Sequence, residues 1–90
     1  MIHVVTLKTE PKREIPAFMA ELKARDVQYV TPGCCLVDTP ETARDLAREL
    51  AKHLVRTDKL LVIRASADYA GQFSSDAQKW LFISSNNGDF

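Results

Sequence analysis

The chain has 90 residues, of which 46% are apolar and 27% are charged. These values are typical of a globular domain and exclude a disordered chain, a collagen-like repeat and a disulfide scaffold. Twelve basic residues balance twelve acidic ones, so there is no global positive field, and any nucleic-acid binding needs a local basic patch. One hydrophobic core and one domain are expected at this length.

The opening segment MIHVVTLKTEPKR predicts neither a signal peptide nor a membrane anchor. Its apolar run is too short for a signal peptide and is followed, not preceded, by basic residues. No segment approaches the roughly 20 apolar residues that a membrane span requires. We therefore expect a cytoplasmic protein that makes no membrane contact.

The first half of the chain predicts a strand, a helix and a hairpin. The β-branched run Ile2–Leu7 predicts a strand. Apolar residues at helical spacing predict a helix over Glu14–Arg25. The alternating sequence VQYVTPGCCLVDT contains a Pro-Gly turn, which predicts a hairpin of two strands, Val27–Thr31 and Cys34–Asp38.

The second half predicts a helix, a strand and a short final helix. Thr39 is the predicted N-cap of a helix that has Pro40 at its first position and an apolar stripe ending at Leu54. Leu60–Ile63 is apolar on both faces, which is typical of a strand in the middle of a covered sheet. Ser75 is expected to cap a short helix that carries Trp80 on its apolar face, with Phe73, Ala77 and Leu81.

The order β-α-β-β-α-β predicts an α+β protein of the ferredoxin-like class. In that class both main helices cover one face of a four-stranded antiparallel sheet, and here a short C-terminal helix follows. We assign the domain to residues 1–83 and expect the polar segment 84–90 to be a disordered tail, which only Phe90 could dock.

Apolar residues on both sides of the first and fourth strands require a cover for the second sheet face as well. The candidates are the C-terminal helix, a second copy of the chain, or both, because an exposed apolar sheet face promotes association. We predict a homodimer through this sheet face.

The adjacent cysteines Cys34 and Cys35 invite a metal, redox or nucleophilic interpretation. Neighbours on a strand point to opposite faces, so the two thiols cannot converge on one ion. A zinc site needs further ligands, and only His3, at a strand edge or dimer surface, and His53, at a solvated helix end, are available. No adjacent charge activates a thiol. We expect no metal site, with one thiol under the helices and the other on the opposite face.

Basic residues recur every four positions along the second predicted helix. They are Arg44, Arg48, Lys52 and Arg56. Such a stripe can follow a phosphate backbone. The acids Asp45 and Glu49 lie beside it, however, and i, i+3 pairs of Asp45 with Arg48 and Glu49 with Lys52 also fit a solvated, salt-bridged face.

Four segments carry a resemblance to a known superfamily. They are the opening strand HVVTL, the strand CCLVDT that leads into the second helix, LAKHLVRTDKLLVIRASADYAG, and WL at Trp80 and Leu81. Over residues 3–82 the chain resembles the ferredoxin-like superfamily that includes the CRISPR-associated small endoribonuclease of the second Cas type and the virulence-associated protein D ribonucleases. It is most similar to the SinR-like bacterial relatives of these enzymes.

The resemblance implies a site at the end of the first strand. In the nuclease members, an Asp there, presented by both protomers of a dimer, binds the divalent metal. In this chain VVTLKT places Lys8 at that position, and an ammonium group cannot ligate Mg²⁺. The resemblance therefore implies a dimeric, non-catalytic module without a cofactor that binds nucleic acid or protein. Its candidate phosphate contacts are Lys8, Arg44, Arg48 and Lys52.

The alternative is a metal-dependent endoribonuclease of the CRISPR adaptation or toxin–antitoxin type. Glu10 or Asp68 would then replace the missing acid, and Mg²⁺ or Mn²⁺ would be the cofactor. Metal-dependent cleavage of RNA separates this alternative from the binding module.

Overall fold

The computed structural model of the protein describes residues 1–88 and 90. Its elements are β1 (Ile2–Lys8), α1 (Pro16–Lys23), β2 (Asp26–Thr31), β3 (Cys34–Asp38), α2 (Ala43–Ala51), β4 (Lys59–Arg64) and α3 (Ser75–Asn86). The chain is an α+β domain with a four-stranded antiparallel sheet and three helices. The predicted order of elements is confirmed, and β3 has the predicted bounds.

The strands lie in the order β2-β3-β1-β4, which makes β1 an inner strand and β4 an edge strand. On β1, Val5 pairs with Cys35 on one side and with Val62 on the other. The interpretation of Leu60–Ile63 as an inner strand is wrong. Leu61 and Ile63 are 54% and 52% exposed, because β4 has a neighbour on one side only and its second face lacks a full cover.

The main core lies between one sheet face and the two helices α1 and α2. Its buried members are Val5, Phe18, Leu22, Cys35, Val37, Leu46 and Leu50. Each fully buried side chain of this size stabilises the fold by about 1.5–3 kcal/mol relative to an exposed one. The pattern explains why α1 and α2 need an apolar stripe and why alternate residues of β1 and β3 face them.

The helices begin at different residues from those predicted. The N-cap of α2 is Thr42, whose hydroxyl accepts the Asp45 N–H at 3.1 Å, and not Thr39. Thr39 instead donates its hydroxyl to Glu41 at 2.8 Å, while its carbonyl accepts from the N-terminal amine of Met1 at 2.8 Å. Likewise α3 is capped by Ser74, one residue before the predicted Ser75.

The third helix covers part of the second sheet face. Leu81 of α3 packs with Ile2 and Leu36 in a second buried cluster. The helix continues to Asn86, so the segment predicted as a tail from residue 84 is helical over its first three residues. Phe90 stacks on Tyr69 with 5.7 Å between ring centroids. Within the described residues, no helix is long and apolar enough to cross a membrane.

Candidate nucleic-acid interface

Lys8 and Lys59 lie directly opposite each other at the last residue of β1 and the first of β4. Directly opposed residues of an antiparallel pair project from the same sheet face, and like charges in such a position destabilise the pairing. Alternation along β1 and β4 places both lysines on the face that carries Leu61 and Ile63. This face therefore presents two adjacent ammonium groups beside exposed apolar side chains.

Glu10 partly neutralises the positive charge of the opposed lysines Lys8 and Lys59. Its carboxylate lies 3.2 Å from the Lys8 ammonium, and both side chains are mostly exposed. An exposed ion pair of this kind contributes roughly 0–1 kcal/mol and weakens with salt. Lys59 makes no ion pair among the described residues. One full positive charge thus remains at this end of the sheet.

The basic stripe of α2 and the segment after it, called here the α2 stripe, is exposed along its length and consists of Arg44, Arg48, Lys52 and Arg56. Leu46 and Leu50 anchor the opposite side of α2 in the core. The predicted pair of Lys52 with Glu49 is confirmed, with 2.9 Å between Nζ and Oε1. The predicted pair of Asp45 with Arg48 is not found among the described residues.

The two guanidinium groups of the stripe that lie on α2 point to solvent without an acidic partner among the described residues. Arg44 and Arg48 are exposed and make no ion pair within the described part of the chain. Lys52 is the C-cap of α2, and Arg56 follows it, exposed, in the connection to β4. Helical periodicity places Arg44 and Arg48 one turn apart on one side of α2, a spacing that suits successive contacts to a phosphate backbone.

Glu10 and Asp68, the candidate acids of a nuclease, lie in two different connections. Glu10 follows β1 and is held by Lys8. Asp68 follows β4 and is exposed. Its backbone N–H donates to the Ser66 hydroxyl at 3.3 Å, and its carbonyl accepts from that hydroxyl at 3.5 Å. Among residues 1–88 and 90, no group of three or more His, Cys, Asp or Glu side chains could hold a metal ion. The structure does not bring either acid together with further ligands in one chain.

The two cysteines lie on opposite faces of β3, as predicted. Cys35 is buried beneath α1 and α2, and this burial raises the pKa of its thiol to about 12. Cys34 is partly exposed, and both cysteines are free thiols. Because the nucleophilic form of cysteine is the thiolate, Cys35 is a packing residue at neutral pH.

The predicted position of His3 at a sheet edge is wrong. His3 is fully buried on the inner strand β1, where its Nε2–H donates to the Glu41 carbonyl at 2.7 Å. Its Nδ1 is buried and has no hydrogen-bond partner among the described residues. The β-branched run around His3 predicted a strand but did not reveal which strands would flank it.

A charged network that joins α1 to the start of α2 was not predicted. Arg25 donates to both carboxylate oxygens of Glu41 and to Glu21. His53 contacts Glu21 at 3.3 Å. The Arg25 hydrogen bond is the main cause of the lowered pKa of Glu41 and of Glu21, and His53 adds to the effect on Glu21. These contacts join α1 to both ends of α2. None of them involves a residue of the α2 stripe.

Comparison with known proteins gives no relative from which a function could be transferred. No protein-family model, no curated protein and no solved structure matches the chain. The superfamily resemblance therefore remains a prediction from the sequence, and the function is argued from the chain's own residues.

Proposed function

We propose that the protein is a cytoplasmic, dimeric ferredoxin-like module that binds nucleic acid and does not cleave it. The observation that carries this proposal is the opposed pair Lys8 and Lys59 on the sheet face that also carries the exposed Leu61 and Ile63. Two like charges in direct cross-strand contact destabilise the sheet. A bound phosphate reverses this cost, because it supplies a negative charge that both ammonium groups can approach.

The ferredoxin-like assignment is supported by the topology. The antiparallel order β2-β3-β1-β4 combines a β1–β4 pair with a β1–β3 pair, so that two crossover connections each carry a helix. Residues of α1 and α2 share one core with the same sheet face. These features agree with the split βαβ arrangement of that class.

The non-catalytic part of the proposal rests on the chemistry of Lys8. The superfamily resemblance expects a metal-binding Asp at the end of β1, where this chain has an ammonium group. Mg²⁺ requires oxygen ligands, and the neighbouring acid Glu10 is engaged by Lys8 itself. The same position that would serve a metal in a nuclease is thus suited to an anion here.

Arg44 and Arg48, on the helix-covered side of the sheet, form a second cationic surface that we also assign to the nucleic acid. Both are exposed and lack acidic partners in the described residues, and guanidinium groups form bidentate contacts to phosphate. Contacts of this kind are independent of base sequence, so we expect affinity to depend strongly on salt and weakly on sequence.

Fluorescence anisotropy with a labelled RNA oligonucleotide tests the proposal. Lys8→Ala, Lys59→Ala and Arg48→Ala should each weaken binding and reduce the salt slope by about one. Lys79→Ala is the matched control, because Lys79 is an exposed lysine of α3, outside the proposed surface. Binding that is absent at low salt, or equally lowered by Lys79→Ala, contradicts the proposal.

Incubating the same RNA with the protein and Mg²⁺ or Mn²⁺ tests the absence of cleavage. We expect intact RNA with either metal. Metal-dependent cleavage that is lost in Glu10→Ala or Asp68→Ala would replace the binding module with the endoribonuclease.

A further inference from the structure

A groove of about 970 Å³ lies between α1 and the end of the sheet where β2 turns into β3. Its volume is at the upper end of the range of small-molecule sites. Apolar side chains form much of its lining, among them Leu7, Ile15 and Met19, together with the ring of Tyr29. The groove includes neither the α2 stripe nor Leu61, and it shares Lys8 with the face that carries Leu61.

The charged residues along the groove are mostly cations. Lys8, Lys12, Arg13 and Lys23 line it, against Glu14 as the one acid among its lining residues. Arg13 is held by two bonds to Asp58, at 2.8 and 2.6 Å. Lys12 and Lys23 make no ion pair among the described residues. Because Lys12 precedes α1 and Lys23 ends it, an unpaired ammonium group stands at each end of the helix that forms one wall.

Tyr29 and Met19 form a contact inside the groove. The Tyr29 hydroxyl lies 3.5 Å from the Met19 sulfur, which is a weak acceptor. Burial raises the pKa of Tyr29, so its hydroxyl stays neutral and does not repel an anion. The exposed ring and the polarisable sulfur together suit an aromatic surface, because aromatic rings stack on one another and make favourable contacts with thioethers.

We propose that this groove binds an organic anion with a flat aromatic body, of which an aromatic carboxylate is the simplest case. The ring packs on Met19 and Tyr29, and the carboxylate reaches the ammonium group of Lys12 or Lys23. Charge complementarity selects an anion, and the apolar lining selects the aromatic body. The site shares Lys8 with the proposed nucleic-acid surface, but it is argued from Lys12 and Lys23, which lie outside that surface, so it does not rest on nucleic-acid binding.

The two methionines of the chain provide a direct test by NMR of isotope-labelled methionine methyl groups. Met19 lies in the groove, whereas Met1 lies at the far end of β1, beside Thr39. Titration with naphthoate should shift the Met19 methyl signal saturably and leave the Met1 signal unchanged. Naphthamide is the uncharged control compound of the same shape. It should bind about fivefold more weakly than naphthoate at low salt, which is the difference expected from one exposed ion pair. Added salt should reduce this ratio of affinities.

Substitution of the lysines completes the test. Lys12→Gln combined with Lys23→Gln should abolish the preference for naphthoate while naphthamide still shifts Met19, which shows that the groove remains folded. Lys79→Gln, on α3, should keep the preference. Equal affinity of the wild type for both probes, a preference that survives the double substitution, or an unchanged Met19 signal overturns the proposal.

Discussion

Trp80 of α3 donates its indole N–H to the carboxylate of Asp26, the first residue of β2, with 2.9 Å between Nε1 and Oδ1. The bond ties the final helix to the β2 edge of the sheet. The helix therefore does not cover β4, the opposite edge strand, where Leu61 is 54% exposed. This bond and the packing of Leu81 on Ile2 and Leu36 together place α3 over the part of the second face that lies away from β4.

Removal of this carboxylate should loosen α3. We expect Asp26→Ala to lower the free energy of unfolding by about 1 kcal/mol, the typical net value of one hydrogen bond. Asp26→Asn should lower the free energy of unfolding by a smaller amount, because the amide oxygen of the asparagine can still accept the hydrogen bond from Trp80. Urea unfolding followed by tryptophan fluorescence measures both. Equal losses in the two variants would mean that the bond to Trp80 does not hold the helix.

Local sequence signals predicted the elements well, because those signals act over a few residues. The Pro-Gly turn and the alternation around it define β3 within its observed bounds. The N-cap of α2 was misplaced because two threonines, Thr39 and Thr42, both satisfy the local rule. The choice depends on Met1, which lies 38 residues away in the sequence and whose N-terminal amine donates to the Thr39 carbonyl at 2.8 Å.

The candidate interface was less predictable because it depends on strand pairing. The sequence named Lys8 through a resemblance and the α2 stripe through periodicity, but not Lys59, which becomes relevant only once β4 lies beside β1. In the same way, the bond from Arg25 to Glu41 joins residues 16 apart, beyond the reach of helical periodicity. Contacts between elements carry no short-range signal in a single sequence.

Stability should fall in acid, because several carboxyl groups have a lowered pKa. Hydrogen bonds from Arg25 to Glu41 and from Arg13 to Asp58 are the main causes for those two groups. A pKa that is lower in the folded than in the unfolded state contributes stability above the unfolded value, and this contribution is lost as the pH falls through the folded pKa. We expect urea midpoints to be constant from pH 7 to about 5 and to fall below the ordinary values of 4.5 for Glu and 3.8 for Asp.

Glu41→Gln separates this effect from general acid unfolding. At pH 7 the variant should be less stable by about 1 kcal/mol, because one charge-assisted contact to Arg25 is lost at a partly exposed site. The difference should shrink as the pH falls below 4.5 and vanish only below the lowered pKa of Glu41 in the folded protein. Glu14→Gln is the control, since Glu14 is exposed and has no ion pair within the described residues. A difference that is independent of pH would argue against the Arg25 linkage.

The two thiols should react at very different rates. Cys35 is buried and its pKa is raised to about 12, whereas Cys34 is partly exposed on the other face. A thiol reagent should label one cysteine in the native protein and both after denaturation. Cys34→Ser should abolish the native reaction, and Cys35→Ala should leave it unchanged. Rapid labelling of two thiols in the native wild type would contradict the placement of Cys35 beneath the helices.

The uncovered part of the second sheet face should be the dimer interface. Four exposed apolar residues lie on β4 and α3: Leu61 at 54%, Ile63 at 52%, Phe82 at 66% and Ile83 at 60%. We expect sedimentation equilibrium to give a dimer for the wild type at micromolar concentration. Ile63→Lys should raise the dissociation constant by about 30-fold, which corresponds to roughly 2 kcal/mol at the centre of an interface.

The control for this prediction is Val55→Lys. Val55 is 58% exposed but lies in the connection between α2 and β4, outside the sheet face. The Val55→Lys substitution should leave the dimer intact, because a lysine at this position enters no apolar contact between subunits. If both substitutions weaken association equally, the loss reflects surface charge and not this face. If the wild type is a monomer at high micromolar concentration, Leu61 and Ile63 face solvent, the dimer is ruled out, and the opposed lysines Lys8 and Lys59 act within one subunit.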